Sequence, residues 1–411
     1  MDQQFDNKQI IVDYLQGGCK GRAMGTVGVE LEQFLYDEDD ELVPYEEKHG
    51  RLGVKDLLEQ LVEFYPEAMR TEAGDIMGCV RPSAAVTIEP ACQLEISIAP
   101  MASVAEVERE YRNFAFHVGQ IIDPRGYHLL PYGYDPYMKA EDKPLIPKPR
   151  YHFMDDYFAK IPGMHAERMM RGSCSLQVSL DFADEADAVR KMRIATLLGP
   201  VFSLITDNVP VFQGEPNVTP LRRMKIWREV DPARCQVTPG LFDEDFGFEK
   251  YAEYLLATPP IFTTRPDEHA TGSLTAAEVY GDAPMRTEDV EHLLGMFWND
   301  VRLKRYVEVR QGDALPLEPG LGYVALIKGV FYSDTNLDIL EHALGVGDDG
   351  VWPYTEQSVE DAIDAIVADG FNAEVYGRTA TAWIDLLFSL APDGLGTEVE
   401  YLEPLKDFKG L

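Results

Sequence analysis

Thr87 to Pro100, TIEPACQLEISIAP, alternates with a period of two. Ile88, Cys92, Leu94, Ile96 and Ile98 fall on one face, and Thr87, Glu89, Gln93, Glu95 and Ser97 on the other. Successive side chains of a strand point to opposite faces, so this is a strand with one buried side and one side bearing two carboxylates and an amide. Three distant segments repeat the pattern. In Val27 to Phe34, Gly28, Glu30 and Glu32 oppose Val27, Val29 and Leu31. In Ser173 to Phe182, Ser173, Ser175, Gln177, Ser179 and Asp181 oppose Cys174, Leu176, Val178, Leu180 and Phe182. In Val301 to Arg310, Arg302, Lys304, Tyr306, Glu308 and Arg310 oppose Val301, Leu303, Val307 and Val309.

A solvated face of an antiparallel sheet is the plain reading of any one such strand. The composition of the four together argues for more. Carboxylates gather on three strands, and basic groups join them on the fourth. Glu30 and Glu32, two residues apart along a strand, are about 7 Å apart. Like charges that close in a cleft repel unless a cation lies between them. Hard oxygen donors of this kind suit Mg²⁺, which takes few protein carboxylates and bridges to phosphates.

The balance of 37 Lys+Arg against 71 Asp+Glu gives a net charge of −34, which repels nucleic acid and anionic membranes. An anionic substrate such as ATP then needs locally concentrated Arg and Lys, or metal. Five cysteines without a CxxC argue against a disulfide framework and structural zinc. The start, MDQQFDNKQ, has no basic n-region or apolar core, and no run approaches the roughly 18 apolar residues of a membrane span. These features place the chain in the cytoplasm.

Helical spacing predicts helices over 7–15, 54–65, 184–207, 248–257, 288–298, 358–369 and 380–390, and Ser103 with Glu106 forms a capping box for another through about Ile122. Residues 124–162 hold seven prolines and read as an ordered loop packed on the body. Residues 221–240 read as loop, with Arg222, Arg223, Lys225, Arg228 and Arg234 around Trp227. Because the key strands lie in both the first quarter and the last third, one interwoven domain over 1–411 is expected.

Six blocks in order resemble the plant-type glutamate–cysteine ligase family: GVELE (28–32), TIEPACQLEISIAP (87–100), MMRGSCSLQVSLDF (169–182), RMKIWREVDPAR (223–234), FGFEKY (246–251) and VRLKRYVEVR (301–310). The resemblance implies an α+β fold like that of glutamine synthetase. A curved antiparallel sheet forms an active-site funnel, and helices pack on its outer face. It implies ATP and Mg²⁺, with L-glutamate and L-cysteine joined through γ-glutamyl phosphate. A carboxylate is a poor acylating agent, so phosphoryl transfer must precede amine attack, and positive charge must neutralise the triphosphate.

By the same resemblance Glu30, Glu32, Glu89, Glu95 and Glu308 are the metal ligands, and Lys304 and Arg310 the catalytic cations. Arg305, Gln93 and Gln177 contact the nucleotide, and Arg223, Trp227 and Arg234 form the amino-acid end, where a guanidinium holds a carboxylate bidentately. Each has a plainer alternative. Glu89 precedes Pro90 and can simply point to water, and Lys304 and Arg305 alternate faces, which favours Lys304. Trp227 can be core, Cys174 is packing, and His292 reads as structural. Ala91-Cys92 and Ile98 stand where the family has glycines, with Ala91 expected to face the funnel by parity. Gly172 stands where an Arg is common, and no His separates the two glutamates. A ligase of the same fold with another amine acceptor, or a non-catalytic binding protein, are the rival readings.

Overall fold

The computed structural model describes residues 6–21 and 25–411, so the opening residues read above for a leader lie partly outside it. Nine strands form one antiparallel sheet. In chain order they are β1 (Val27–Tyr36), β2 (Glu67–Arg70), β3 (Ile76–Arg81), β4 (Ala84–Ile88), β5 (Leu94–Met101), β6 (His128–Leu130), β7 (Ser175–Leu180), β8 (Val301–Leu303) and β9 (Val307–Asp313). Across the sheet they run β8-β9-β7-β1-β5-β4-β3-β2, and β6 pairs with the end of β1. The sheet is open, and its centre joins β1, β5 and β7 to strands from the last third of the chain.

Two of the four expected strands are hairpins. Thr87 to Pro100 is β4 and β5 joined by a tight loop, in which Glu89 N donates to Gln93 O (2.9 Å) and Cys92 N to Glu89 O (3.0 Å). Val301 to Arg310 is β8 and β9, closed by Lys304 N donating to Tyr306 O at 2.9 Å. The alternation survives both turns for one geometric reason. Directly opposite residues share a face, and here they are Thr87 with Glu95 and Arg302 with Glu308, odd with odd and even with even. Pro90 cannot donate to a ladder, which marks the first turn. Cys92 closes it in the left-handed region at φ 68°, a position of three-residue hairpin loops that favours glycine. Ala91 therefore lies in the loop and does not face the polar side of the sheet, contrary to strand parity.

The apolar faces hold the core. Val29, Leu31, Ile96, Ile98, Leu176, Val178, Val307 and Val309 are all buried, and each such side chain contributes about 1.5–3 kcal/mol. Helices Glu185–Thr206 and Leu317–Phe331 cover this face. Ser203 Oγ of the first donates to Gln311 O of β9 (3.0 Å), and Gly312 of β9 leaves room for the Tyr323 ring of the second, which a Cβ there would meet at 2.9 Å. The Ser103–Glu106 capping box is formed and opens helix Val104–Ile122. The segment 221–240 departs from expectation, since Arg222–Arg228 is a short helix.

The proline-rich segment is pinned by a buried ion pair. Lys143 Nζ donates to Asp135, and both side chains are fully buried. Asp135 also accepts from Tyr137 N (2.8 Å), Met138 N (2.9 Å) and the Tyr36 hydroxyl. Beyond the clasp, Ile146 N donates to Pro90 O (3.0 Å), which ties the segment to the β4–β5 turn. Pro149 then opens helix Pro149–Phe158, where its missing N–H costs nothing. Among the described residues no helix is long and apolar enough to cross a membrane, and the five cysteines are free thiols.

Candidate active site

The polar face of the sheet floors a cavity of about 320 Å³. Its floor is written in cross-strand rows. One row places Gln177 of β7, Glu30 of β1 and Ser97 of β5 side by side. The next places Glu32 directly opposite Glu95, with Thr87 of β4 beyond. Opposed residues of an antiparallel pair stand about 4.5–5.5 Å apart at Cβ, and like charges there are destabilising. Glu89 joins them from the end of β4 and accepts from the Tyr151 hydroxyl at 3.2 Å.

Glu32 and Glu95, like Glu89, are held by donors that orient them. Glu32 accepts from Ser175 N (2.7 Å) and Gln177 Nε2 (3.3 Å), and Glu95 from Thr87 Oγ1 (2.7 Å) and Ser97 Oγ (2.9 Å). These bonds do not offset burial and crowding. Burial, then Glu95 and Glu308, pushes Glu30 up to about 7. Burial, then Glu89 and Glu95, pushes Glu32 up to about 8. Glu95 is raised as well, by burial and then by Glu89.

Glu308 stands apart. Fully buried beneath the cavity, its Oε2 meets Arg302 Nε at 2.7 Å and Arg310 Nη1 at 2.9 Å, and its Oε1 meets Lys304 Nζ at 3.4 Å. Burial alone would raise it, but Arg302, Lys304 and Arg310 together hold it well below the ordinary carboxylate range. Its oxygens are thus engaged by cations, and it does not line the cavity with Glu30, Glu32, Glu89 and Glu95, the other four expected ligands. Lys304 and Arg310 reach the cavity wall above it. Burial and the neighbouring Arg302 lower the Lys304 ammonium.

Other expected residues divide. Arg223 lines the cavity and is anchored through Nη2 to Arg310 O (3.2 Å), while Trp227 lies 6.0 Å from the Arg310 guanidinium, face on. Gln93 lines it too, but its amide is spent on Ala91 N (2.8 Å), Met170 O (3.1 Å) and Ser173 O (3.3 Å). Gln177 is likewise engaged by Glu32, Ser175 and Arg310. Both amides therefore brace the floor. Arg305 is not brought to the cavity. It sits at the exposed β8–β9 turn, 4.6 Å from the Tyr14 ring, because its neighbour Lys304 takes the inward position. Arg234 is buried outside the cavity on Asp231 (2.6 Å), Tyr157 (3.0 Å) and Pro259 O (2.7 Å). His292 meets Phe262 O at 3.1 Å in a packing role, and Cys174 is buried.

Sequence reasoning missed Lys148, Arg150 and Tyr151, which line the cavity from the start of helix Pro149–Phe158. Burial lowers both Lys148 and Arg150. The only signal available was a basic pair around a proline at a helix start. Arg302 was placed on the right face, but nothing in the sequence announced its pairing with Glu308.

The donor set fits a hard cation. Among the described residues no three His, Cys, Asp or Glu side chains converge to hold an ion unaided. Mg²⁺ uses one or two carboxylates and leaves other positions to phosphate and water. The directly opposed Glu32 and Glu95 supply such a pair.

A family model described as glutamate–cysteine ligase family 2 matches residues 26–407. The chloroplastic glutamate–cysteine ligase of Medicago truncatula is 30% identical over 338 residues, covering 80% of this chain and 65% of that protein. Its counterpart from Arabidopsis thaliana is 30% identical over 341 residues, covering 81% and 64%. The chain thus spans slightly under two thirds of the length of these relatives. A glutamate–cysteine ligase from Francisella tularensis, solved in complex with AMP, aligns with a TM-score of 0.46 and 12% identity over 94% of this chain and 82% of that one, a likeness too slight to carry an argument. The chloroplastic relatives overturn the cytoplasmic placement drawn from composition. An acidic globular body carries no record of its compartment.

Proposed function

The chain belongs to the glutamate–cysteine ligase family 2, and from that premise we infer that it joins the γ-carboxylate of L-glutamate to the amine of L-cysteine at the expense of ATP. The observation that carries the reading is the concentration of carboxylates and cations in one cavity. Glu30, Glu32, Glu89 and Glu95 occupy one part of its lining, and Lys304, Arg310, Arg223, Lys148 and Arg150 supply cations around them.

Glu32 and Glu95 would hold Mg²⁺, with Glu30 and Glu89 beside them, and the ion when bound would neutralise triphosphate charge. Lys304 and Arg310, steadied from below by Glu308, face the phosphoryl group as it passes from ATP to the glutamate γ-carboxylate oxygen and ADP leaves. Charge spreads over the transferring oxygens at that moment, and cations fixed beforehand stabilise it most. The cysteine amine then attacks the acyl carbon of γ-glutamyl phosphate, phosphate departs, and the amine loses a proton. Arg223 and Trp227 form the amino-acid end of the cavity, with Lys148 and Arg150 as further carboxylate contacts. Residues 1–411 act as one catalytic domain in this reading, since β8 and β9 complete the floor begun by β1 and β5.

The test is mass spectrometry of products from ATP, Mg²⁺, glutamate and a panel of amines, with ADP release read alongside. γ-Glutamylcysteine as the favoured product is expected. Preference for a diamine or a bulky amine would overturn the acceptor, and absence of glutamate-dependent ADP release would overturn the ligase reading.

A further inference from the structure

Behind the β4–β5 turn lies a second cavity, of about 610 Å³, nearly twice the volume of the first. The turn is a wall common to both. Glu89 and Gln93 face the first cavity, whereas Ala91 and Cys92 line the second. A second wall is shared as well. Met138 and Asp142 line the new cavity from the clasped segment, and the same segment continues through Ile146, bonded to Pro90 O, to Lys148 and Tyr151 in the first.

The lining of the second cavity carries both signs of charge over an apolar interior. Lys48, His49, Glu41 and Asp142 are exposed, and none has an ion pair among the described residues. Val43 and Cys92 are buried below, and Leu52 is half-buried beside them. The remaining cation, Arg51, is already committed to Asp37 at 2.6 Å and to Asp39, which fixes the loop that forms the rim. Unpaired charges of opposite sign above an apolar interior match an ammonium and a carboxylate carried on one small molecule.

We propose that this cavity is a second ligand site, for a zwitterionic amino acid or short peptide, whose occupancy alters turnover by bracing the β4–β5 turn and the 138–151 segment. The part concerning turnover rests on the first cavity being the active site. Binding and bracing do not. A ligand at one site affects another only through an element whose state both sense, and these two walls are that element.

The experiment tethers the zwitterion. In a Cys19→Ser background, Leu52→Cys is treated with cystine. The introduced thiolate attacks the disulfide, a mixed disulfide forms, one cysteine leaves as thiol, and desalting removes it. Methyl methanethiosulfonate, which adds only S–CH3 and releases methanesulfinate, is the uncharged control. Met138→Cys gives an independent anchor should the first variant fold poorly. With 2-aminobutyrate replacing cysteine as acceptor, so that no thiol in the assay exchanges with either adduct, the half-cystine adduct is expected to change kcat about fivefold or more, to slow amide exchange over 88–94 and 138–151, and to revert with dithiothreitol. Glu41→Gln with Lys48→Met should erase the effect. Unchanged exchange in the adduct, an equal effect of the methyl adduct, or refusal of both anchors to take up the half-cystine would each overturn the site. Altered exchange in a protein without ligase activity would retain the site and reject the active-site reading.

Discussion

Glu308 and Glu32 are the same residue type on the same face of one sheet, yet their surroundings give them opposite characters. Glu308 has three cations on its oxygens and is held well below the ordinary carboxylate range. Glu32 faces Glu95 across the β1–β5 pair and is pushed up to about 8. One carboxylate completes a buried charge network, and the other is left wanting a positive charge. The difference teaches that a carboxylate cluster read from sequence contains two populations, and only the cross-strand partner sorts them.

The largest effect should come from breaking the satisfied member. Glu308→Gln leaves Arg302, Lys304 and Arg310 crowded in a buried site, and removing one partner of a buried charge group costs about 3–5 kcal/mol. Thermal unfolding should therefore show a midpoint several degrees lower, together with loss of turnover. An unchanged midpoint would mean that Glu308 is not the keystone of the cation group. Next in size is Arg310→Ala, which removes a cation at the cavity wall. A loss of about 10²–10³-fold in kcat is expected, comparable to deleting one oxyanion donor. An effect confined to KM would reduce Arg310 to a ground-state contact.

A third buried carboxylate tests whether one cation is enough to hold a charge. Asp313 is raised by burial, lowered by Arg223 at 3.8 Å and raised again by Asp207, and stands at about 7. Its unfolded value is about 3.9. Between those values the folded chain keeps a proton that the unfolded chain has released, so stability falls as pH rises from about 4 to 7. Asp313→Asn should flatten that part of a stability–pH curve. A curve unchanged by the substitution would show that Arg223 does keep Asp313 ionised. The smallest effect belongs to Glu32→Gln, which above about pH 8 removes one of two opposed charges and should there raise the unfolding free energy by about 0.2–1 kcal/mol. Added Mg²⁺ should stabilise the parent more than this variant, and equal stabilisation would remove Glu32 from the ligand set.

The face of every key strand was legible because alternation does not depend on where a turn falls. Thr87 pairs with Glu95 and Arg302 with Glu308, so the parity of each segment continued through a hairpin that the pattern itself could not reveal. Turn chemistry could have revealed the first, through Pro90. What parity cannot supply is distance between segments. Arg305 and Arg234 looked like site residues because they sit in the right blocks, but Arg305 flanks an inward Lys304 and Arg234 is spent on Asp231. Lys148 and Arg150 escaped because their delivery depends on long-range ties of their segment, Asp135 to Tyr36 and Ile146 to Pro90, that only the folded chain brings together.

The acidic body around the first cavity also governs how fast a nucleotide arrives. A polyanion approaching this surface climbs a field of its own sign, built from the overall −34, before it reaches Lys148, Arg150, Arg223, Arg302, Lys304 and Arg310 at the destination. Most binding clefts attract their ligands from a distance and lose that attraction as salt is added. Here added salt should shorten the reach of a repulsion, from about 30 Å at 0.01 M to about 8 Å at 0.15 M. Association should accordingly quicken with ionic strength at constant Mg²⁺, which stopped-flow mixing would read directly as an upward slope where a steered encounter slopes down.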